Sequence, residues 1–271
     1  MKSEATEGQQ ARRRYMEREF TRRSFVRAGL TALFVPALTR CEEIDPVTFN
    51  AFGDSRLTVS PHAPTLPAPP GASVLGIGGA RDGILYVPST YDPATPAPLF
   101  VALHGATGSG DNWNGFFDRC EELGMVMLAP DSRNYTWDRV LGAFRDDPAF
   151  LDQALNHTFD RCSIDRQRVA LAGFSDGASY ALSLGPSNGD LFTHLIAFSP
   201  GFARQAQPIV GSPRVFISHG RSDQILPVRG SRNEIVPLFQ SSGYDVTYEE
   251  FEGRHEMPDY IRTLAMEWFL G

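Results

Sequence analysis

The sequence predicts an α/β fold built on a mostly parallel, doubly wound sheet with helices on both faces. From about residue 73 onward, short apolar runs alternate with stretches of helical pattern, and strands that alternate with helices are typical of this class. Runs such as Val169–Ala172 are apolar at every position, as strands covered by helices on both faces must be. Gly, Pro or Asp residues follow the runs closely and favour the turns that separate such elements.

The alternation gives seven strands and five helices. The strands are predicted at Gly83–Val87, Leu99–Leu103, Met125–Ala129, Arg168–Ala172, His194–Phe198, Val215–Ser218 and Tyr244–Phe251. The helices are predicted around Asn114–Leu123, Pro148–Phe159, Asp176–Leu184, Arg229–Ser241 and Pro258–Leu270. The stretch between the fifth and sixth of these strands is short, so we expect no large cap domain over the sheet.

The composition indicates a globular protein and excludes two classes of function. The chain has 271 residues, is 42% hydrophobic and carries a formal net charge of −7, and that apolar share is too high for a disordered chain. No apolar run reaches the roughly 18 residues that a membrane-spanning helix needs, which excludes a protein with several spans. The acidic balance argues against nucleic acid as a partner, because nucleic-acid binders usually present a basic surface.

The first 45 residues differ from the rest and carry a candidate export signal. The first 40 hold nine basic and four acidic residues. The segment Thr21–Arg27 reads TRRSFVR and precedes an apolar stretch from Ala28 to Leu38, which is the layout of an export signal. The heptad resembles a twin-arginine signal, with Val26 where Leu is usual. That resemblance implies a twin-arginine translocase as partner and a periplasmic or extracellular location. A basic amphipathic helix or a disordered arm is the alternative.

Cys41 and a proline-rich stretch separate this region from the α/β domain. Cys41 follows the apolar run, as in a lipoprotein, but Thr39 and Arg40 stand where small residues are expected. These two residues argue against lipidation of Cys41. We expect membrane attachment only if Cys41 is lipidated. Five prolines fall within 61–70, and this density blocks helices and favours an extended tether. The predicted parts are a signal region over 1–45, a linker over 46–72 and one catalytic α/β domain over 73–271.

The other two cysteines, Cys120 and Cys162, do not indicate a disulfide framework, because the total of three is odd. Free cysteine often behaves as a small buried apolar residue, and that is our interpretation of both. Whether they pair with each other stays open.

Ser175 lies in a pattern that activates serine as a nucleophile. Gly173–Gly177 reads GFSDG and stands between a predicted strand and a predicted helix, the setting that a nucleophile elbow requires. Glycines are needed two residues before and after the serine, because the sharp turn leaves no room for side chains there. A serine that caps an ordinary loop is the alternative.

A serine hydroxyl needs a base and an acid, which in this fold follow it in the order acid, then histidine. Three histidines follow Ser175. His194 begins a predicted strand and His219 precedes the best acid, so we predict His255, in the loop before the last helix, as the base. Asp223 is the sole carboxylate in the loop after the strand at 215–218. Its predicted role is to hold the tautomer of His255 and stabilise the imidazolium.

The negative charge that develops on the substrate needs two backbone donors. We predict the N–H of Asp176, the residue after the nucleophile, as one donor. The other comes from the glycine-rich loop His104–Gly110. We expect it to be Ala106, with Thr107 as the alternative.

Together these motifs resemble one family. They are LHG at 103–105, APDSR at 129–133 followed by Trp137, GFSDGA at 173–178, HGRSD at 219–223 and His255 before Pro258. Over residues 80–271 the chain is similar to the α/β-hydrolase superfamily, in particular its compact carboxylesterase/phospholipase and polyhydroxybutyrate-depolymerase-like branch. One departure is Arg254, where relatives often carry glycine. The resemblance implies a serine esterase, and the fold hosts many chemistries.

The substrate is expected to be a small-molecule or polymer ester. Thr107 and Trp137 are candidate substrate contacts, although Trp137 is as readily a core aromatic. We expect no cofactor and no metal, because no dinucleotide fingerprint and no metal-ligand spacing stands in the sequence. A peptidase or acyltransferase of the same fold is one alternative function, and an exported binding protein without turnover is another.

Overall fold

The computed structural model describes residues 54–271, and the predicted α/β class is confirmed there. Eight strands form one sheet in the order β1-β2-β4-β3-β5-β6-β7-β8, in which β1 and β2 run antiparallel to their neighbours and all other pairs are parallel. The strands are β1 Gly71–Val74, β2 Gly83–Val87, β3 Ala97–Leu103, β4 Val126–Pro130, β5 Ile164–Phe174, β6 His194–Phe198, β7 Arg214–Gly220 and β8 Val246–Phe251.

Five α-helices cover the sheet, and four short helical turns accompany them in this part of the chain. The helices are α1 Phe117–Leu123, α2 Asp147–Phe159, α3 Asp176–Leu184, α4 Val236–Ser241 and α5 Asp259–Leu270. The turns are Gly110–Phe116, Asp138–Leu141, Gly185–Asn188 and Ser231–Ile235.

The core has two halves, one on each face of the sheet. Residues of β3 alternate between them: Leu99 and Val101 pack with α2, α3 and α4, whereas Phe100 and Ala102 pack with α1 and α5. This alternation is why the strand is apolar at every position, as a parallel sheet covered on both faces requires. Cys120 and Cys162 are both buried and free, and burial raises the pKa of each thiol to about 12.

The described part of the proline-rich stretch, residues 54–70, contains neither helix nor strand. It packs against the domain and is not a tether that stands away from it. Leu57 is buried in the core, and its N–H donates to Asn188 Oδ1 (2.8 Å). Arg56 pairs with Asp190 (2.9 Å). Residues 71–74 then form β1, a mostly exposed edge strand that apolar patterning did not reveal.

The candidate export signal and Cys41 lie outside the described residues, so they stay predictions. Over residues 54–271 no helix is long and apolar enough to cross a membrane. No cap domain stands between β6 and β7, since residues 199–213 contain neither a helix nor a strand.

Candidate active site

Ser175 lies on a strained turn between β5 and α3. Its backbone has φ 57° and ψ −114°, a region that residues with side chains seldom adopt. A Cβ atom on Gly173 would overlap the Gly177 carbonyl group, and one on Gly177 would overlap the carbonyl of Leu103. Close backbone contact therefore requires glycine at both positions. The sequence analysis expects glycine there for the same reason, because the sharp turn leaves no room for side chains.

His255 and Asp223 lie in the loops that follow the two neighbouring strands β8 and β7. Nδ1 of His255 is 2.6 Å from Oδ2 of Asp223, so a neutral or charged ring donates its Nδ1–H to the carboxylate. The other oxygen of Asp223 accepts the N–H groups of Ile225 and Leu226, each at 2.8 Å. These bonds hold the carboxylate at a fixed orientation, and its side chain is fully buried.

The histidine loop lies beside the serine turn. The ring of Phe174, the residue before Ser175, is 4.8 Å from the ring of His255 between centroids. The loops after β7 and β8 also contact each other closely, since Ser222 N–H donates to the Gly253 carbonyl (2.9 Å). The structure thus brings the three predicted residues to the carboxyl edge of one sheet, where ligands bind in open α/β folds.

The loop after β3 supplies the other side of this edge. A Cβ built on Gly105 would be 3.4 Å from the Ser175 Cβ, which places the loop directly against the serine. The N–H of Thr107 donates to the Tyr135 carbonyl (2.6 Å). That bond occupies the N–H of Thr107, the alternative donor. Asp176 directly follows Ser175 and is the first residue of α3, so its N–H lies at the N-terminus of that helix.

Trp137 does not line open surface, contrary to the expectation that it contacts substrate. It is fully buried, and its indole N–H donates to the His104 carbonyl (2.8 Å). Its ring packs on Tyr180 of α3. A tryptophan with a buried partner for its N–H is a common core arrangement. Thr107, by contrast, is exposed at the site and has a left-handed backbone with φ 61°.

Three residues support the site in roles that the sequence did not indicate. His104 is buried and neutral: its Nδ1–H donates to the Gly105 carbonyl (2.7 Å), and its Nε2 accepts the Ser132 N–H (2.9 Å). Burial lowers the pKa of His104. His219 donates Nε2–H to the Leu226 carbonyl (2.6 Å) and lies 3.2 Å from the Asp223 carboxylate. Arg81 bonds the loops after β3 and β4. His104 belongs to the LHG motif and His219 to the HGRSD motif. Their roles in supporting the site loops follow only from contacts between segments that are distant along the chain.

A cavity of about 340 Å³ opens beside the serine turn. Its walls combine the loop after β3 with residues of three other segments, namely Asn112, Trp113, Phe174 and Met257. No charged side chain lines it among the described residues. A second cavity, of about 580 Å³, contains none of the candidate site residues and lies along α2 at Thr58, Asp152 and His157.

Comparison with solved structures identifies the architecture. An S-formylglutathione hydrolase of Staphylococcus aureus matches 76% of this chain and all of its own length, with a TM-score of 0.60 and 13% identity. A phospholipase/carboxylesterase of Dyadobacter fermentans matches 71% of this chain and 97% of its own length, with a TM-score of 0.56 and 22% identity. The chain has the α/β-hydrolase fold. These identities support the fold alone.

Among curated proteins, this chain is similar to feruloyl esterase C of Emericella nidulans. The two are 26% identical over 160 residues, which is 55% of this chain and 57% of the relative. The chain therefore spans a little over half the length of the curated relative that it matches. No family model matches the chain.

Proposed function

We propose that the protein is a serine hydrolase that cleaves carboxylic esters through an acyl-enzyme on Ser175. One observation carries the proposal: a serine in a strained elbow and a His255–Asp223 pair lie at the same edge of the sheet, with the Ala106 loop against the serine. The similarity to a protein named as an esterase supports the reaction class. Peptidase and acyltransferase activity use the same apparatus and are tested beside it.

In the proposed reaction, the Ser175 hydroxyl attacks the ester carbonyl carbon while Nε2 of His255 takes its proton. The N–H groups of Ala106 and Asp176 stabilise the negative oxygen of the tetrahedral intermediate. His255 then gives the proton to the departing alcohol, which leaves the acyl group on Ser175. Water gives a proton to Nε2 of His255 and attacks the acyl carbon. The bond between that carbon and Ser175 Oγ then breaks, His255 returns the proton to Oγ, and the carboxylic acid leaves. Asp223 keeps Nδ1 of His255 protonated throughout and stabilises the imidazolium.

The cavity limits the group that the site receives. Its volume of about 340 Å³ and its uncharged walls favour a neutral acyl or alcohol group of moderate size. Because the described chain has no cap domain between β6 and β7, the remainder of a larger ester can extend into solvent.

The test is hydrolysis of p-nitrophenyl esters of increasing chain length together with labelling by a fluorophosphonate probe. A feruloyl ester belongs in the panel because of the curated relative, and an amide and an added alcohol test the peptidase and acyltransferase alternatives. Ser175→Ala is expected to lose labelling and about 10⁵-fold or more of kcat. The matched control is Ser199→Ala. Ser199 also has a positive φ and directly follows the neighbouring strand β6. Its buried hydroxyl makes no hydrogen bond within residues 54–271. Equal labelling of Ser175→Ala and wild type would refute the proposal.

We also propose that the chain is exported through the twin-arginine pathway, on the sequence pattern at 21–38. Replacing Arg22 and Arg23 with lysine keeps the charge but removes the paired guanidinium groups. This variant is expected to remain in the cytoplasmic fraction, and unchanged delivery would refute the pathway. Palmitate labelling that depends on Cys41 would show attachment to the membrane.

A further inference from the structure

Arg81 lies outside every motif that the sequence analysis singled out, in the turn before β2. Its guanidinium nevertheless reaches both loops that build one side of the site. Nη2 donates to the Gly108 carbonyl (2.7 Å), at the far end of the loop after β3. Nε donates to the Ser132 carbonyl (2.5 Å), in the loop after β4. One side chain therefore ties the two loops together through their backbones.

The loop after β3 needs such an external support. It contains Gly105, Gly108 and Gly110 within seven residues, and glycine leaves a backbone more freedom than any other residue. Preorganised donors must keep their direction for the developing negative charge to be stabilised. The Ala106 N–H stands in the middle of this segment, two residues before the carbonyl that Arg81 bonds.

The turn that carries Arg81 is itself fixed. The carboxylate of Asp82 accepts the N–H groups of Gly76 (2.6 Å) and Gly78 (2.7 Å). Asp131 joins this turn to the loop, since its carboxylate accepts the N–H groups of Asp82 (3.1 Å) and Gly110 (2.7 Å). The backbone of the turn that carries Arg81 is therefore held in place by hydrogen bonds.

Arg81 also lies against the buried ring that begins the loop. Its Nη2 is 3.3 Å from Nε2 of His104, the same nitrogen that accepts the Ser132 N–H. A cation at this distance disfavours protonation of the ring, and the pKa of His104 is lowered by burial with a smaller contribution from Arg81. A neutral His104 keeps both bonds that hold the loop, because Nε2 can accept only while it carries no proton.

We propose that Arg81 is the positioning residue for the backbone donor of the loop after β3, acting through the Gly108 and Ser132 carbonyls. The proposal rests on the proposed function, because it concerns the transition state of that reaction. Arg81 does not need to touch substrate. Its loss should therefore lower kcat, since the donor acts on charge that develops only in the transition state, and leave KM nearly unchanged.

Arg133 provides a matched control in the same region. It also donates to two backbone carbonyls, those of Gly78 (3.2 Å) and Asp131 (2.9 Å), but makes no bond to the loop after β3. Arg133 itself lies in the loop after β4. Arg133→Met therefore removes a guanidinium that contacts the turn of Arg81, through the Gly78 carbonyl, without removing the support of the loop after β3. Any general effect of losing a partly buried arginine appears in both variants.

The experiment compares wild type, Arg81→Met, Arg81→Lys and Arg133→Met on p-nitrophenyl acetate, with the folded fraction checked by circular dichroism. Arg81→Met is expected to lose about 10- to 100-fold in kcat, less than the loss of an oxyanion donor itself. Arg81→Lys should recover part of kcat, and Arg133→Met should stay within about 3-fold of wild type. Millimolar methylguanidinium should restore kcat in Arg81→Met only.

The infrared carbonyl frequency of an isotopically labelled acyl-enzyme gives a readout that a structural role would not move. We expect a higher frequency in Arg81→Met and in Arg81→Lys, because a displaced N–H polarises the carbonyl less, and the wild-type frequency in Arg133→Met. If Arg81→Met does not fold, Arg81→Lys decides alone. An unshifted frequency, or equal kcat in the Arg81 and Arg133 variants, overturns the inference. A wild-type protein with neither ester turnover nor probe labelling would instead refute the proposed function.

Discussion

His194 makes the stability of the fold depend on pH in a way that can be isolated by one substitution. It begins β6, is 8% exposed, and its ring lies 5.2 Å from Trp268 and 5.0 Å from Phe269 between centroids. Burial, and then the charge of Arg214, lowers the pKa of His194 from 6.5 to about 4. The fold therefore prefers the neutral ring, whereas the unfolded chain takes up a proton near pH 6.5.

The sign and size of the effect follow from these two values. The stabilisation from a neutral His194 is complete above pH 6.5 and is lost as the pH falls to about 4. At about 1.4 kcal/mol for each pH unit, the loss amounts to about 3 kcal/mol. His194→Phe removes the titration and keeps an aromatic ring between Trp268 and Phe269.

The assay is urea unfolding of wild type and His194→Phe at several values between about pH 7 and about pH 4. The difference in unfolding free energy should move by about 3 kcal/mol in favour of the variant as the pH falls. The buried rings of His104 and His219, whose pKa values are also lowered by burial, titrate in both proteins and cancel in the difference. A difference that stays constant within about 0.5 kcal/mol over this range would show that the reasoning is wrong.

Three further outcomes are expected. Gly173→Ala should yield insoluble or inactive protein, because the added Cβ overlaps the backbone of Gly177. Gly230→Ala is the control, because nothing lies within 4 Å of the added atom, and it should match wild type in solubility and probe labelling. Trp137→Phe should lower the unfolding free energy, measured by urea titration, by about 1–3 kcal/mol, because the buried His104 carbonyl loses its donor. KM should stay unchanged, and a raised KM would instead favour contact between Trp137 and the substrate. The thiols of Cys120 and Cys162 should react with a disulfide reagent only after denaturation, because burial raises both pKa values to about 12, and fast reaction in the native state would contradict their burial.

The elements that the sequence predicted well are those whose bounds are determined by residues close to them along the chain. The strands at Gly83–Val87 and His194–Phe198 and the helix at Asp176–Leu184 have the predicted bounds, because periodicity and turn residues there agree. Ser175 could be placed on its turn for the same reason, since two glycines and the flanking elements are all within a few residues. The geometry of these residues fits the roles proposed for them, which stay predictions.

The features that the sequence did not reveal depend on contacts between distant segments. Trp137 was as compatible with a pocket as with the core, and only the position of the His104 carbonyl decides between them. The density of prolines at 61–70 suggests a tether, yet Leu57, at the start of the described stretch, is buried. Arg81 stands in an unremarkable turn, and the carbonyls that it bonds are 27 and 51 residues away along the chain.

The segment before β1, residues 54–70, limits where this domain can be joined to another protein. Asn188 and Asp190, at the start of the segment that leads into β6, take hydrogen bonds from residues 56 and 57, and Asp152 of α2 takes the Thr58 N–H (2.9 Å). A chimera that joined a foreign module at residue 73 would leave these acceptors to water and uncover the core at Leu57. The module boundary therefore lies upstream of the prolines, and a recombination library should cut the chain at or before residue 54.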